Sequence, residues 1–196
     1  MSAIIYDYET LSSVPATAPI LTMAIYRFEF DRFTSNPYTL DEIVSGSKMY
    51  KFDVKEQVQQ YGRIIQEDTV KWWSEQDKEV RDAQLAPKDD DLSIRELPGI
   101  FKAIYQKNDL AFTRGNTFDP IITDNILTAL GVNPNFHPFY LVRDTRSMID
   151  GMSYGSGLRD SFTPPDLEGV KLNKHDPRVD IALDVLRMQS LARAIS

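Results

Sequence analysis

Two hydrophobic periods divide the chain. Up to about residue 53 the apolar positions run together in short blocks or alternate with polar ones, as in strands; beyond that they recur mostly at helical spacing, broken by two further short apolar blocks. Residues 2–7 read as a first strand, 21–30 as a second and 48–53 as a third, with connections short enough for an antiparallel meander. Helices are expected over 55–65, over 69–75 with Asp68 as N-cap, over 78–85 and over 94–106. Residues 110–113 then read as a buried strand, 119–130 as a helix stopped by Gly131, and 139–142 as a fifth strand, after which Asp144 caps a short helix. A last helix over 176–194 carries Pro177 in its first turn, where a missing N–H has no partner to lose. Its apolar stripe is Val179, Ala182, Leu183 and Leu186.

Composition narrows the class of molecule. The 196 residues are read as a single domain, 1–196, long enough to bury ~70% of its extended surface. With 42% hydrophobic and 26% charged residues the chain is ordinary for a globular protein. No apolar stretch approaches the ~20 residues of a membrane span, and the start lacks the pattern of an export signal, so the expected location is cytoplasmic, not secreted and not membrane-bound. The absence of cysteine excludes disulfides, thiolate metal sites and cysteine nucleophiles, and two histidines leave little room for a histidine-rich zinc site. Any metal is expected to be held by oxygen. A net charge of −7 argues against a protein that coats long nucleic acid but permits one that grips only a strand end.

The candidate chemistry sits at element edges. Asp7 and Glu9 follow the apolar run Ala3, Ile4, Ile5, Tyr6, and carboxylates two apart on a strand project from one face, where they can hold a hard divalent cation. Asp119 ends the run Arg114, Gly115, Asn116, Thr117, Phe118, Asp119. His175 and Asp180 bracket the start of the last helix. In this order the residues resemble the DEDD superfamily of 3′-5′ exonucleases, in its histidine subclass (DEDDh), and within it the exonuclease A type of tailed bacteriophages. Two further stretches are similar to the phage type: Thr69, Val70, Lys71, Trp72, Trp73, and Arg143, Asp144, Thr145, Arg146. One departure is Pro177, where many members carry alanine.

The resemblance implies a ribonuclease H-like α/β fold with a central mixed five-stranded sheet, three antiparallel strands then two parallel, flanked by helices, which is also the order of the elements read above. It implies phosphodiester hydrolysis at nucleic-acid 3′ ends with release of nucleoside 5′-monophosphates, with two Mg²⁺ or Mn²⁺ ions. In this family pattern Asp7 bridges the ions, Glu9 and Asp180 hold the one carrying the attacking water, Asp119 assists the second, and His175 is the general base. The expected partner is a 3′ end, DNA ahead of RNA, and the host cytoplasm is the expected place for a phage-encoded enzyme. Thr10 and Leu11 are candidates for the terminal sugar and base. Trp72 and Trp73 point ~100° apart on a helix, so either one is a candidate stacking face while the other belongs to the core, or both pack against the sheet. Phe118, beside Asp119, is a further candidate for substrate contact but reads first as a core anchor of that helix. Arg146, like Arg114 and Arg159, has either a phosphate or a carboxylate as partner. The glycine-rich stretch 151–174 reads equally as a lid or as a surface insertion.

Readings from other classes are a catalytically silent ribonuclease H-like module that binds nucleic acid or a host protein, an exoribonuclease acting on short RNA, and a glycoside hydrolase built on two carboxylates. A chelator separates the last of these from a metal-dependent nuclease.

Overall fold

The computed structural model describes residues 1–133, 138–173 and 175–195. Lys174, the end of the glycine-rich stretch, and Ser196, the end of the expected domain, lie outside the described residues. Five strands, β1 (Ser2–Thr10), β2 (Ile20–Glu29), β3 (Lys48–Lys51), β4 (Leu110–Thr113) and β5 (Val142–Asp144), form one sheet in the order β3-β2-β1-β4-β5. β1 pairs antiparallel with β2, and β2 with β3, while β4 lies parallel to β1 and β5 parallel to β4. Central β1 is covered on both faces, which explains its nearly unbroken apolar start. Ile4, Tyr6 and Tyr8 join a core with Phe101, Ile122 and Ile126; Ala3 and Ile5 join another with Ile181, Ala182 and Val185.

Nine helices are found among the described residues: α1 (Arg32–Ser35), α2 (Leu40–Gly46), α3 (Val54–Tyr61), α4 (Glu67–Ser74), α5 (Lys78–Leu85), α6 (Leu97–Ile104), α7 (Asp119–Ala129), α8 (Thr145–Met152) and α9 (Pro177–Ala194). The long α9 lies across the sheet against β1 and β2 and packs on α1, α2 and α8. Asp176 caps it by accepting from the Arg178 N–H at 3.0 Å. Asp144 caps α8 through the N–H groups of Arg146 and Ser147. At the end of α7, Gly131 adopts φ +71 and brings Val132 N–H to the Leu127 carbonyl at 2.9 Å, the left-handed closure that glycine permits.

The boundaries differ from the sequence reading where local chemistry overrides the pattern. β1 runs to Thr10, so Asp7 and Glu9 lie within the strand and not behind it. The connection between β2 and β3 is not a short turn: it holds α1 and α2, and Thr39 caps α2 by accepting from the Glu42 N–H. α3 stops at Tyr61 because Gly62 takes the left-handed conformation, and α4 starts at Glu67, after a Gln66 whose side chain does not cap it, which places Asp68 in its first turn. The helix expected over 94–106 is a 3-10 turn followed by α6, which ends at Ile104 and carries Pro98 in its first turn. Phe139–Leu141 form a 3-10 turn with Phe139 and Tyr140 exposed, and strand β5 starts only at Val142.

Candidate active site

The site forms at one end of β1. Ala3 and Ile5 face α9, so the alternation of the strand turns Asp7 and Glu9 toward α9 as well. The β1–β2 register shifts between Glu9 and Thr10, an irregularity of the kind that re-aims side chains beside active sites. Asp180, in the first turn of α9, lines a small crevice with Asp7, Arg114 and Asp184. Donor atoms of Glu9, His175 and Asp180 lie within 4.8 Å of one another. Asp119 opens α7 and is 3% exposed, and its Oδ1 is buried with no hydrogen-bond partner.

Burial, with help from neighbouring carboxylates, makes these four acids hold their protons. Asp7 is driven well above the usual aspartate range by burial and then by Asp119, Glu9, Asp180 and Asp184. Glu9 is raised by burial, then by Asp180, Asp119 and Asp176. Burial lifts Asp119 to about 7 against the opposing N–H groups of Tyr8 and Asp119 and the charge of Arg146. Burial, Asp184 and Asp176 lift Asp180 to about 6, against Arg114 and Arg187. A buried carboxylate oxygen without a donor, within a group of mutually repelling acids, is the donor set a hard divalent cation requires. Asp7, Glu9, Asp119 and Asp180 are the residues that could hold such ions.

Stability should report these raised pKa values directly. Asp119 and Asp180 ordinarily titrate near 3.8, so between that value and about 7 and 6 the folded protein keeps protons that the unfolded chain releases. Stability therefore falls as pH rises through that window. Glu42, lowered by its hydrogen bond from Arg32, acts in the opposite sense but below about pH 5. In chelator, the melting temperature is expected to fall between about pH 5 and 7, and Mn²⁺ should recover it most at pH 7. Thermal melts across this range check the expectation; a metal-free melting temperature that climbs toward pH 7 would contradict it.

His175 sits at the rim. Its backbone takes φ +65, a left-handed conformation that side chains rarely adopt, and its carbonyl accepts from Gln84 Nε2 at 3.0 Å. Its ring lies edge-on to Trp72, centroids 4.8 Å apart, and 6.2 Å from Trp73. The two tryptophans separate as their spacing on a helix requires. Trp73 is 1% exposed and donates from Nε1 to the Thr10 carbonyl at 3.0 Å, whereas Trp72 is 39% exposed.

The other candidates are placed unevenly. Thr10 is buried, its Oγ1 donating to the Ser12 carbonyl at 2.8 Å. Leu11 is 7% exposed and packs with Leu21, Trp73 and Val80. Phe118 is half-buried against the core beneath α7. Arg146 is exposed, 3.6 Å from Asp160, and its charge reaches Asp119. Arg114, not its counterpart Arg159, ties the glycine-rich stretch down: it bridges Asp160 at 2.7 Å and buried Asp184 at 2.6 Å. Phe162 and Leu167 of that stretch pack against the core on the α9 side. Asp184 also takes the Thr145 hydroxyl and Arg187. It lies one turn beyond Asp180, an i, i+4 spacing that is visible in the sequence.

A family model described as 3′-5′ exoribonuclease Rv2179c-like domain matches residues 2–176. The chain is 30% identical to an exodeoxyribonuclease of Enterobacteria phage T4, over an alignment covering 96% of this chain and 88% of that one. Among solved structures it is similar to the zinc-bound form of an E. coli ExoI–ssDNA complex, at 15% identity and a TM-score of 0.65, covering 100% of this chain and 41% of that one. The complex of E. coli exonuclease I with a dT13 oligonucleotide gives 16% identity and a TM-score of 0.62, covering 99% and 40%. The chain thus spans about two fifths of the exonuclease I chains, and the likeness shows the ribonuclease H-like fold.

Proposed function

As the chain belongs to the 3′-5′ exoribonuclease Rv2179c-like family, among the DEDDh exonucleases, we propose that it is a divalent-metal-dependent hydrolase that trims DNA from the 3′ end to nucleoside 5′-monophosphates. The observation that carries this reading is the meeting of Glu9, His175 and Asp180 within 4.8 Å beside Asp7 and an unpartnered Asp119 oxygen. A complete set of acids with its histidine disfavours a silent module. DNA is favoured over RNA by the exodeoxyribonuclease relative, which matches nearly the whole chain, although the family model is described by RNA.

The placement of the side chains supports the following roles. Bound Mg²⁺ or Mn²⁺ would offset charge on the attacking and leaving oxygens of the phosphodiester. Asp7, Glu9, Asp119 and Asp180 would hold those ions, and they need to shed their protons to do so. His175, beside Glu9 and Asp180, would take the proton of the attacking water. Arg146, exposed near Asp119, would reach a phosphate by exchanging away from Asp160. Asp160, Phe162 and Leu167 anchor the middle of the stretch 151–174, so any closure over substrate would be confined to the segments on either side of these anchors.

Trp72 offers the stacking face. Substituting Trp72→Ala should lower kcat/KM on oligonucleotides by about 5- to 150-fold, the equivalent of ~1–3 kcal/mol per stacked base, with little change in melting temperature. Trp73→Ala should instead destabilise the fold by ~3–5 kcal/mol. Kinetics and thermal melts of the two variants separate the roles; equal kinetic loss without destabilisation in both would refute the division. For substrate class, sequence-matched DNA and RNA strands should differ in kcat/KM in favour of DNA, and a preference for RNA would overturn that choice.

A further inference from the structure

The described contacts that fix the His175 backbone lead to a side chain that neither motif nor family pattern singles out. Gln84 lies in the last turn of α5, is 2% exposed, and uses both ends of its amide. Its Nε2 donates to the His175 carbonyl at 3.0 Å and its Oε1 accepts from the Thr22 hydroxyl at 2.6 Å. Thr22 is fully buried on β2 and is the cross-strand partner of Glu9, so both project from the same face of the sheet. A closed circuit results: Glu9 to Thr22 through the ladder, Thr22 to Gln84 to His175 through side-chain bonds, and His175 back to Glu9 across the site. The end of α5 is itself fastened to the sheet, because Lys51 on β3 donates to the carbonyls of Ala83 and Gln84. A histidine held at φ +65 needs such external definition, since its own backbone preference opposes that conformation.

We propose that Gln84 is a positioning residue that sets His175 relative to Glu9, acting through the His175 backbone and never touching substrate. This rests on the reading of His175 as proton acceptor. An anchor of this kind affects turnover more than binding, because displacing a proton acceptor by about 1 Å costs on the order of 10²-fold while leaving the strand's other contacts in place.

The test uses Gln84→Glu, which keeps an acceptor for Thr22 but sets a carboxylate against the His175 carbonyl, and Thr22→Val, which loosens the anchor from its far end. Gln84→Glu should lower kcat on a DNA oligonucleotide by about 10- to 100-fold, with KM within about 3-fold and Mn²⁺ affinity by calorimetry unchanged. Thr22→Val should give a smaller loss of the same kind. In a His175→Ala background neither change should lower kcat further. The imidazole signals of His175, one of two histidines in the chain, should shift in both single variants. Unchanged kcat with a lowered melting temperature would make Gln84 merely structural and overturn the proposal, as would unshifted imidazole signals. Full turnover in His175→Ala alone would sink the proton-acceptor role instead, a result distinguishable from either.

Discussion

Replacing Asp7 with asparagine is expected to abolish turnover while raising the stability of the metal-free protein. The two effects have one cause. Burial acts most strongly on the Asp7 carboxylate, and Asp119, Glu9, Asp180 and Asp184 add their repulsion to it. A neutral amide relieves both the burial of charge and that repulsion, and also removes one of the four carboxylates proposed to hold metal. Loss of the charge stabilisation that a divalent cation supplies to phosphodiester hydrolysis is worth several kcal/mol, or about 10³-fold in rate or more. Each kcal/mol of repulsion relieved should raise the melting temperature by about 2–4 °C in a chain of this size. Kinetics and thermal melts in EDTA at pH 7 test both halves. An Asp7→Asn protein that is inactive because it has unfolded, or one that stays fully active, would contradict the assignment.

The second large effect is expected at His175. His175→Ala should lower kcat by ~10²–10⁴, the usual contribution of a positioned acid or base. Mn²⁺ binding should largely survive, because the carboxylates of Asp7, Glu9, Asp119 and Asp180 remain. The proximity of His175 to Glu9 and Asp180 makes this control decisive, since the same 4.8 Å cluster could place the imidazole on a metal. Calorimetric loss of Mn²⁺ binding as complete as that caused by Asp7→Asn would make His175 a ligand rather than a proton acceptor.

What the sequence revealed and what it hid divide by the range of the interactions. The strand alternation that turns Asp7 and Glu9 to one face, the Asp144 and Gly131 helix signals, and the succession of five strands along the chain are local patterns, and each is present in the fold. The helices α1 and α2 were missed although Thr39 and Glu42 carry a capping signal, because a short helix leaves little periodicity to read. Residues 139–142 have strand-like composition, yet Phe139 and Tyr140 stay exposed and only the end of the run pairs with β4. Which tryptophan is core depended on the Thr10 carbonyl, 63 residues away. The role of Gln84 and the particular carboxylates that pair with Arg114 were out of reach for the same reason: the partners, His175, Asp160 and Asp184, are distant in the chain, and nothing in the residues themselves marks the pairing.

The central claim is that the acids around Asp7 hold metal for hydrolysis at a 3′ end. A single-stranded DNA oligonucleotide labelled at its 5′ end, incubated with purified protein in Mg²⁺, Mn²⁺ or EDTA, tests it most directly. The account predicts a ladder shortening one nucleotide at a time from the 3′ end with either metal, with nucleoside 5′-monophosphates as the product, and intact substrate in EDTA. Undiminished cleavage in EDTA, or release of the 5′ label as a mononucleotide before the strand shortens, would contradict it.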